Sequence, residues 1–269
     1  MLRIVAVAVS LLLSACASAP RFPEVPAAVR SEFAPSGTLL VGVNFGNPVI
    51  MQKDPAGGAP RGVGADLARE LARRLGVPVR YVTFDAAGKA ADALKERAID
   101  ISFLAVDPVR AADIDFSAPY VDIEGTYLVR RDSPLRAIGD VDREGIRVAV
   151  GDKSAYDLYL TRALKNAKLV RAPTSNAAIE VFMAQKLEAA AGVKNPLVEA
   201  AAKDPSLRVI EGNFMVIGQA SGIPRGRPAA AQYLRDFIEE AKASGFVARS
   251  LAASGITDAK VSAPAGSRR

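Results

Sequence analysis

The stretch that decides how this chain reads is Ile99-Asp100-Ile101-Ser102-Phe103-Leu104-Ala105-Val106-Asp107-Pro108-Val109-Arg110, which continues through Asp113 and Asp115 to Phe116-Ser117-Ala118-Pro119-Tyr120. Ile99, Ile101 and Phe103 alternate and Leu104 to Val106 extend the apolar run, so the first part reads as a buried strand ending at a turn signal. Asp107 reads as an N-cap for the following turn, with Pro108 at the first helical position and Arg110 on that turn. A cation is thereby fixed at the carboxyl end of a strand, the place where open α/β sheets bind ligands. The plainer alternative is that Arg110 only neutralises Asp107 or Asp113 on a solvated face.

Working outward toward the amino terminus, Leu39 to Val43 reads as a first strand, and Asn44-Phe45-Gly46-Asn47-Pro48 as a turn-rich loop at its carboxyl end. Asp54 to Gly62 is a hairpin-like excursion rich in Gly and Pro. A helix opens at Gly64-Ala65-Asp66 and runs through Leu75 with Leu67, Leu71 and Leu75 on one face. Asp66 reads as its cap, Gly76 closes it and Pro78 bars its continuation. A strand at Val79 to Val82 and a helix at Lys89 to Arg97 lead into the central strand. Repeated strand, helix, strand order predicts a mostly parallel sheet covered on both faces.

After Tyr120, Gly125 to Arg130 reads as an extended crossing segment, and from about Arg131 the same grammar restarts. Ile146 to Val150 is a strand, Gly151-Asp152-Lys153 its loop, and Ser154 with Asp157 a capping-box-like pair opening a helix to about Lys165. That helix start beside Lys153 is either an anion seat or a capped surface helix. A helix from Asn176 to about Lys186 leads to Ala189 to Val193, then Lys194-Asn195-Pro196, where Asn195 caps and Pro196 starts another helix. Phe214 to Gln219 reads as a second crossing, and Gly226 to Ser244 and Phe246 to Ser254 as helices.

The segment around Arg110 followed by Asp115-Phe116-Ser117-Ala118-Pro119-Tyr120 resembles the family 3 periplasmic solute-binding proteins, the polar amino-acid receptors of ABC importers. The resemblance covers roughly Gly37 to Gly255. It implies an α/β, two-lobed periplasmic-binding-protein fold, with two doubly wound lobes joined by a two-segment hinge. On that plan residues 1–15 are a signal peptide, 16–36 a tether, 37–129 with 219–257 lobe one, 130–218 lobe two and 258–269 a flexible tail. It also implies that Arg110 grips a ligand carboxylate, that Phe45 either stacks on the ligand with Asn47 as a polar partner or packs into the core, and that Ser154 supplies a hydroxyl beside backbone amides. The residues expected to face the cleft are Asn44, Phe45, Asn47, Asp107 and Arg110 from lobe one and Lys153, Ser154, Asp157, Lys194 and Asn195 from lobe two. The family's amino-acid receptors carry an aspartate for the ligand's α-ammonium; Val193 stands in its place, and an ordinary amino acid would need Asp107 or Asp157 instead.

Composition limits the chemistry. The 269 residues contain no histidine and one cysteine, so Ser-His-Asp catalysis, cysteine-based metal sites and an internal disulfide are excluded. No cofactor or metal is expected. Met1-Leu2-Arg3, the apolar run Ile4 to Leu13 and then Ser14-Ala15-Cys16 read as a secretory signal. Leu13-Ser14-Ala15-Cys16 resembles a lipobox, which would make Cys16 a lipidated, membrane-anchored first residue on the periplasmic side; the alternative is cleavage after Ala17-Ser18-Ala19. The net charge of +6 is dispersed without aromatic interleaving, so nucleic acid is not an expected partner. The expected role is a monomeric solute-binding component that closes on a small carboxylate or amino acid and serves an inner-membrane ABC permease, and is not an enzyme. A cyclohexadienyl dehydratase-like enzyme and a ligand-sensing lipoprotein without transport are the alternatives.

Overall fold

The computed structural model describes residues 25–266, so the expectations placed on the signal segment and on Cys16 lie outside the described residues. The chain forms a mixed α/β structure around a sheet of eleven strands. In chain order its strands are β1 (Leu39–Asn44), β2 (Val79–Phe84), β3 (Ile101–Ala105), β4 (Ile114–Phe116), β5 (Val121–Arg130), β6 (Arg147–Gly151), β7 (Lys168–Ala172), β8 (Ala189–Val193), β9 (Leu207–Val209), β10 (Met215–Pro224) and β11 (Lys260–Val261). The helices are α1 (Ala27–Phe33), α2 (Val63–Leu75), α3 (Ala87–Lys95), α4 (Ala155–Ala163), α5 (Ser175–Ala184), α6 (Lys194–Lys203), α7 (Pro228–Ala243) and α8 (Phe246–Ala253).

The spatial order β2-β1-β3-β10-β5-β8-β6-β7 divides the sheet into two halves that meet at β10 and β5. Outside that pair β2, β1 and β3 run parallel, as do β8, β6 and β7, so each half is a doubly wound unit. Side-chain alternation explains the two layers of cover. Leu39, Val41 and Val43 of β1 and Ile101, Phe103 and Ala105 of β3 enter one core with α2, α7 and α8, while Leu104 turns to the opposite core under α3. In the other half Val148 and Val150 of β6 and Tyr127 and Val129 of β5 share a core with Tyr156 and Leu160 of α4. The residues between them, Leu128 and Ala149, pack against Phe182 and Leu197 instead. A strand buried on both faces must be apolar throughout, which is why the central stretch shows a nearly unbroken apolar run.

Two long strands join the halves. β5 and β10 are each ten residues, and pair antiparallel from Val121↔Gln219 to Gly125↔Met215. β10 then continues against β3, and β5 continues against β8. Both crossings expected between lobes are thus neighbouring strands of one sheet.

Several expected elements differ in detail. The supposed tether contains α1, whose Val29 and Phe33 are buried and whose Glu32 accepts a 2.8 Å hydrogen bond from the Ala230 amide at the start of α7. Pro26 and Pro35 bracket this helix rather than forbid it. Residues beyond Asp258, expected to fray, form β11 against β5, and Ser262 is buried with its amide donating to the Tyr120 carbonyl. The turn after Asp107 is one short 3-10 segment, Arg110–Ala112, because the chain must enter β4 at Ile114. Asp66 does not cap α2; it pairs with Arg69 and accepts from the Ser250 hydroxyl, tying α2 to α8. Asn195 does not cap α6, which begins at Lys194 after Val193; its side chain bonds Asp258.

Candidate functional site

A narrow cleft, partly open to solvent, lies where the carboxyl ends of β1, β3, β6 and β8 converge, with a cavity volume of about 30 Å³. Its lining includes Asn44, Asn47, Phe103, Arg110, Ser154, Tyr156, Ser175, Val193 and Gln219. Each position follows from a local rule. β3 ends at Ala105, and Asp107 then folds the backbone back by accepting the Val109 amide at 2.8 Å, which turns Arg110 inward. In the facing half β6 ends at Gly151, and Ser154 caps α4 by accepting the Asp157 amide at 3.1 Å.

Arg110 is the centre of this arrangement. Its residue is 6% exposed; Nη1 donates to the Ala105 carbonyl of its own half and Nη2 to the Lys153 carbonyl of the other, both at 3.0 Å. Burial pulls the guanidinium pKa down to about 10, against the smaller opposing pull of Asp107 and Asp92. The group stays charged at neutral pH, and of its five N–H donors these bonds use two. Among the described residues, no Asp or Glu lines the cleft.

The acidic groups nearby are committed elsewhere. Asp107 is 4% exposed and pairs at 2.7 Å with Arg162 of α4, across the two halves. Lys153 reaches back across the same gap to Asp92 of α3 at 2.9 Å, which raises its pKa. Asp157 accepts from the Lys153 amide at 2.8 Å and pairs with Arg171 at 3.0 Å. Lys194 pairs with Glu124 at 2.6 Å. The halves approach so closely here that a Cβ on Gly88 of α3 would stand 2.6 Å from the Cβ of Lys153.

Of the expected site residues, the fold therefore brings Asn44, Asn47, Arg110 and Ser154 together on the cleft. The expected trio of cleft cations reduces to Arg110, because the Lys153 and Lys194 ammonium groups are drawn to carboxylates outside the lining. Phe45 is half-buried against the core at the mouth of the cleft, where it lines a neighbouring hollow with Gly46, Thr174 and Asn176, and the Lys53 ammonium lies 5.4 Å from its ring centre. Asp107 and Asp157 also stand outside the lining, where they fix the turns beside it by accepting the Val109 and Lys153 amides, while Asn195 is turned to Asp258. Sequence reasoning missed Tyr156, whose hydroxyl donates to Ser175 at 2.7 Å, together with Phe103 and Gln219. The signal for Phe103 and Gln219 was their place on strands that run into the cleft; nothing in the spacing marked Tyr156. Among the described residues there is no cluster of three or more metal-ligating side chains.

A profile of the bacterial extracellular solute-binding proteins, family 3, matches residues 39–253. The chain belongs to that family. Solved structures with the same fold include a mutant ArgBP of T. maritima, 24% identical with a TM-score of 0.72, covering 84% of this chain and 99% of that one. The cysteine-binding protein of Campylobacter jejuni is 19% identical with a TM-score of 0.72, covering 84% of this chain and 92% of that one. The ancestral amino acid-binding protein AncCDT-1, described as a precursor of cyclohexadienyl dehydratase, is 24% identical with a TM-score of 0.69, covering 83% and 98%. No curated protein matches the chain. Within the two-lobed plan of family 3 binding proteins, the half containing Arg110 and the half containing Ser154 are the lobes, and β5 and β10 are the strands between them.

Proposed function

We propose that this protein is the extracytoplasmic receptor of an ABC importer, capturing a small carboxylate-bearing solute, organic anion or amino acid, by closing its lobes over Arg110. The observation that carries the reading is a buried guanidinium bonded to carbonyls of both lobes, with donors left over and no acid among the described residues of the cleft lining. A carboxylate takes up those donors bidentately and neutralises the charge. The Ser154 hydroxyl and the start of α4 meet it from the second lobe. Delivery to an inner-membrane permease pair, anchoring through Cys16 and a monomeric state complete the proposal. Dehydration chemistry would need a carboxylic acid aimed at a leaving hydroxyl, and the cleft lining has none, which favours capture.

The test is a thermal-shift panel of amino acids, simple carboxylates and oxyanions on protein stripped of copurified solute by unfolding and refolding, run beside Arg110→Ala. A solute at a hundred times its Kd adds about 2.7 kcal/mol, or roughly 5 to 11 °C at this chain length. In Arg110→Ala the loss of a buried charge partner lowers affinity by about 2 to 5 kcal/mol, roughly 30- to 4,000-fold. Wild-type affinity in that variant would refute the site.

A further inference from the structure

Resting on the capture reading above, we infer that the solute is a monocarboxylate carrying an uncharged hydrogen-bond donor, a hydroxyl or an amide N–H, and no ammonium group. The charge inventory of the cleft leads there. Among the described residues that line the cleft, Arg110 is the one ionisable cation and none is a carboxylate; Asp107 and Asp92 act on it from outside the lining, each already paired with another cation. One negative charge balances the site, a second would find no cation, and an ammonium would be buried without a counter-ion. The neighbouring acids are not in reserve. Asp107 is engaged by Arg162 and the Val109 amide, Asp92 by Lys153, and Asp157 by Arg171 and the Lys153 amide. Recruiting any of them would break a contact that holds a lobe or joins the two.

The second half of the inference comes from Asn47. Its Oδ1 is a buried acceptor with no hydrogen-bond partner, and its residue lines the cleft. A buried acceptor left unmet is unfavourable, so it needs a donor from whatever occupies the space. No donor among the described residues reaches it, and the Tyr156 hydroxyl on the same lining donates to Ser175 instead. A hydroxyl or amide N–H satisfies a single amide oxygen completely. An ammonium brings three N–H groups and a charge to that one neutral acceptor, and Val193, elsewhere on the lining, offers only methyl groups. The remaining wall, including Phe103, Leu104 and Ile217, is apolar. This chemistry departs from the amino acids for which the structural neighbours are named.

Calorimetric titration of matched sets on one carbon skeleton tests it: lactate, propionate and L-alanine; 2-hydroxyisocaproate, isocaproate and L-leucine; phenyllactate, phenylpropionate and L-phenylalanine. In the set that fits, the hydroxy acid binds at least tenfold tighter than the amino acid. Asn47→Ala brings the hydroxy acid down to the affinity of the acid lacking the hydroxyl. An amino acid that binds as tightly as its hydroxy counterpart overturns the inference and leaves carboxylate capture standing. A hydroxy-acid advantage that survives Asn47→Ala overturns the role of Asn47 as the donor's partner. Absence of binding by every carboxylate in the three sets overturns the inference and the capture reading together. Should Asn47→Ala fold poorly, the hydroxy-to-amino ratio in the unmodified protein decides the charge question without it.

Discussion

Gly88→Ala should stabilise the solute-free protein and weaken its grip on solute at the same time. Gly88 is the second residue of α3, in a helical conformation that alanine adopts readily, and alanine there improves helix propensity by some fraction of the interior value of about 1 kcal/mol. If the lobes can part, that gain is open to the free protein. With the lobes together, the added methyl would sit 2.6 Å from the Cβ of Lys153, 3.1 Å from its Cδ and 3.4 Å from its Cγ. Carbon atoms prefer roughly 3.5 to 4.0 Å, so the nearest contact is about 1 Å too short. The Cβ of Lys153 cannot swing aside, because it is fixed to a backbone that is itself held by Asp157 and Arg110. Relief therefore comes from moving the lobes, and overpacking of this kind costs about 1 to 3 kcal/mol. Affinity should fall about 5- to 150-fold by calorimetry. The solute-free melting temperature should stay level or rise by a few degrees. A variant that binds as tightly as the parent would refute the claim that solute is held with α3 against Lys153. A variant with lowered solute-free stability would refute the assignment of the contact to the closed arrangement alone.

Other expectations follow from the same geometry. The Arg162–Asp107 pair joins the lobes with one partner buried and the other's side chain 44% exposed, so its screened contribution is about 1 kcal/mol. Arg162→Ala should weaken solute about fivefold and flatten the dependence of affinity on salt; an unchanged salt slope would exclude the pair from closure. Because burial holds the free Arg110 near pKa 10 and an anion favours its charged form, bound Arg110 titrates higher than free Arg110. Affinity should be level from about pH 7 to 9 and fall above about pH 10, with proton uptake on binding measurable there by buffer-dependent calorimetry. Arg227 and Asp100 form a buried pair at 3.1 Å beneath lobe one, so Arg227→Met should cost about 3 kcal/mol in urea unfolding at pH 7. Burial raises the Asp100 pKa, and losing Arg227 raises it further; the folded protein then binds that proton more tightly than the unfolded chain, so the deficit should shrink as pH falls toward 5. A deficit that grows on acidification would contradict this.

The order of elements was legible because periodicity is local. Apolar runs on β1, β3 and β6, the Leu67, Leu71 and Leu75 face of α2, the left-handed Gly76 stop and the Ser154 cap all depend on residues within one or two turns of each other. The same locality made α1 and β11 invisible. Their few apolar residues carry too little signal alone, and they are held by α7 and β5, far away in the chain. Prolines around α1 and polar residues around β11 were consistent with loose segments until those partners were in place.

For the cleft, the sequence by itself determined that a cation would stand just past the end of a buried strand and that a capped helix would open after another. Residue types and short-range backbone chemistry suffice for both. It could not determine which charges face the solute, because pairing across the lobes is settled by distances between residues tens of positions apart. Lys153 turned to Asp92, Asp107 to Arg162 and Lys194 to Glu124, and only the tertiary structure could assign those partners. Once opposite charges find each other at 2.6 to 2.9 Å, they leave the cleft lining to the one buried cation that hydrogen-bonds to carbonyls rather than to a carboxylate. That cation is Arg110.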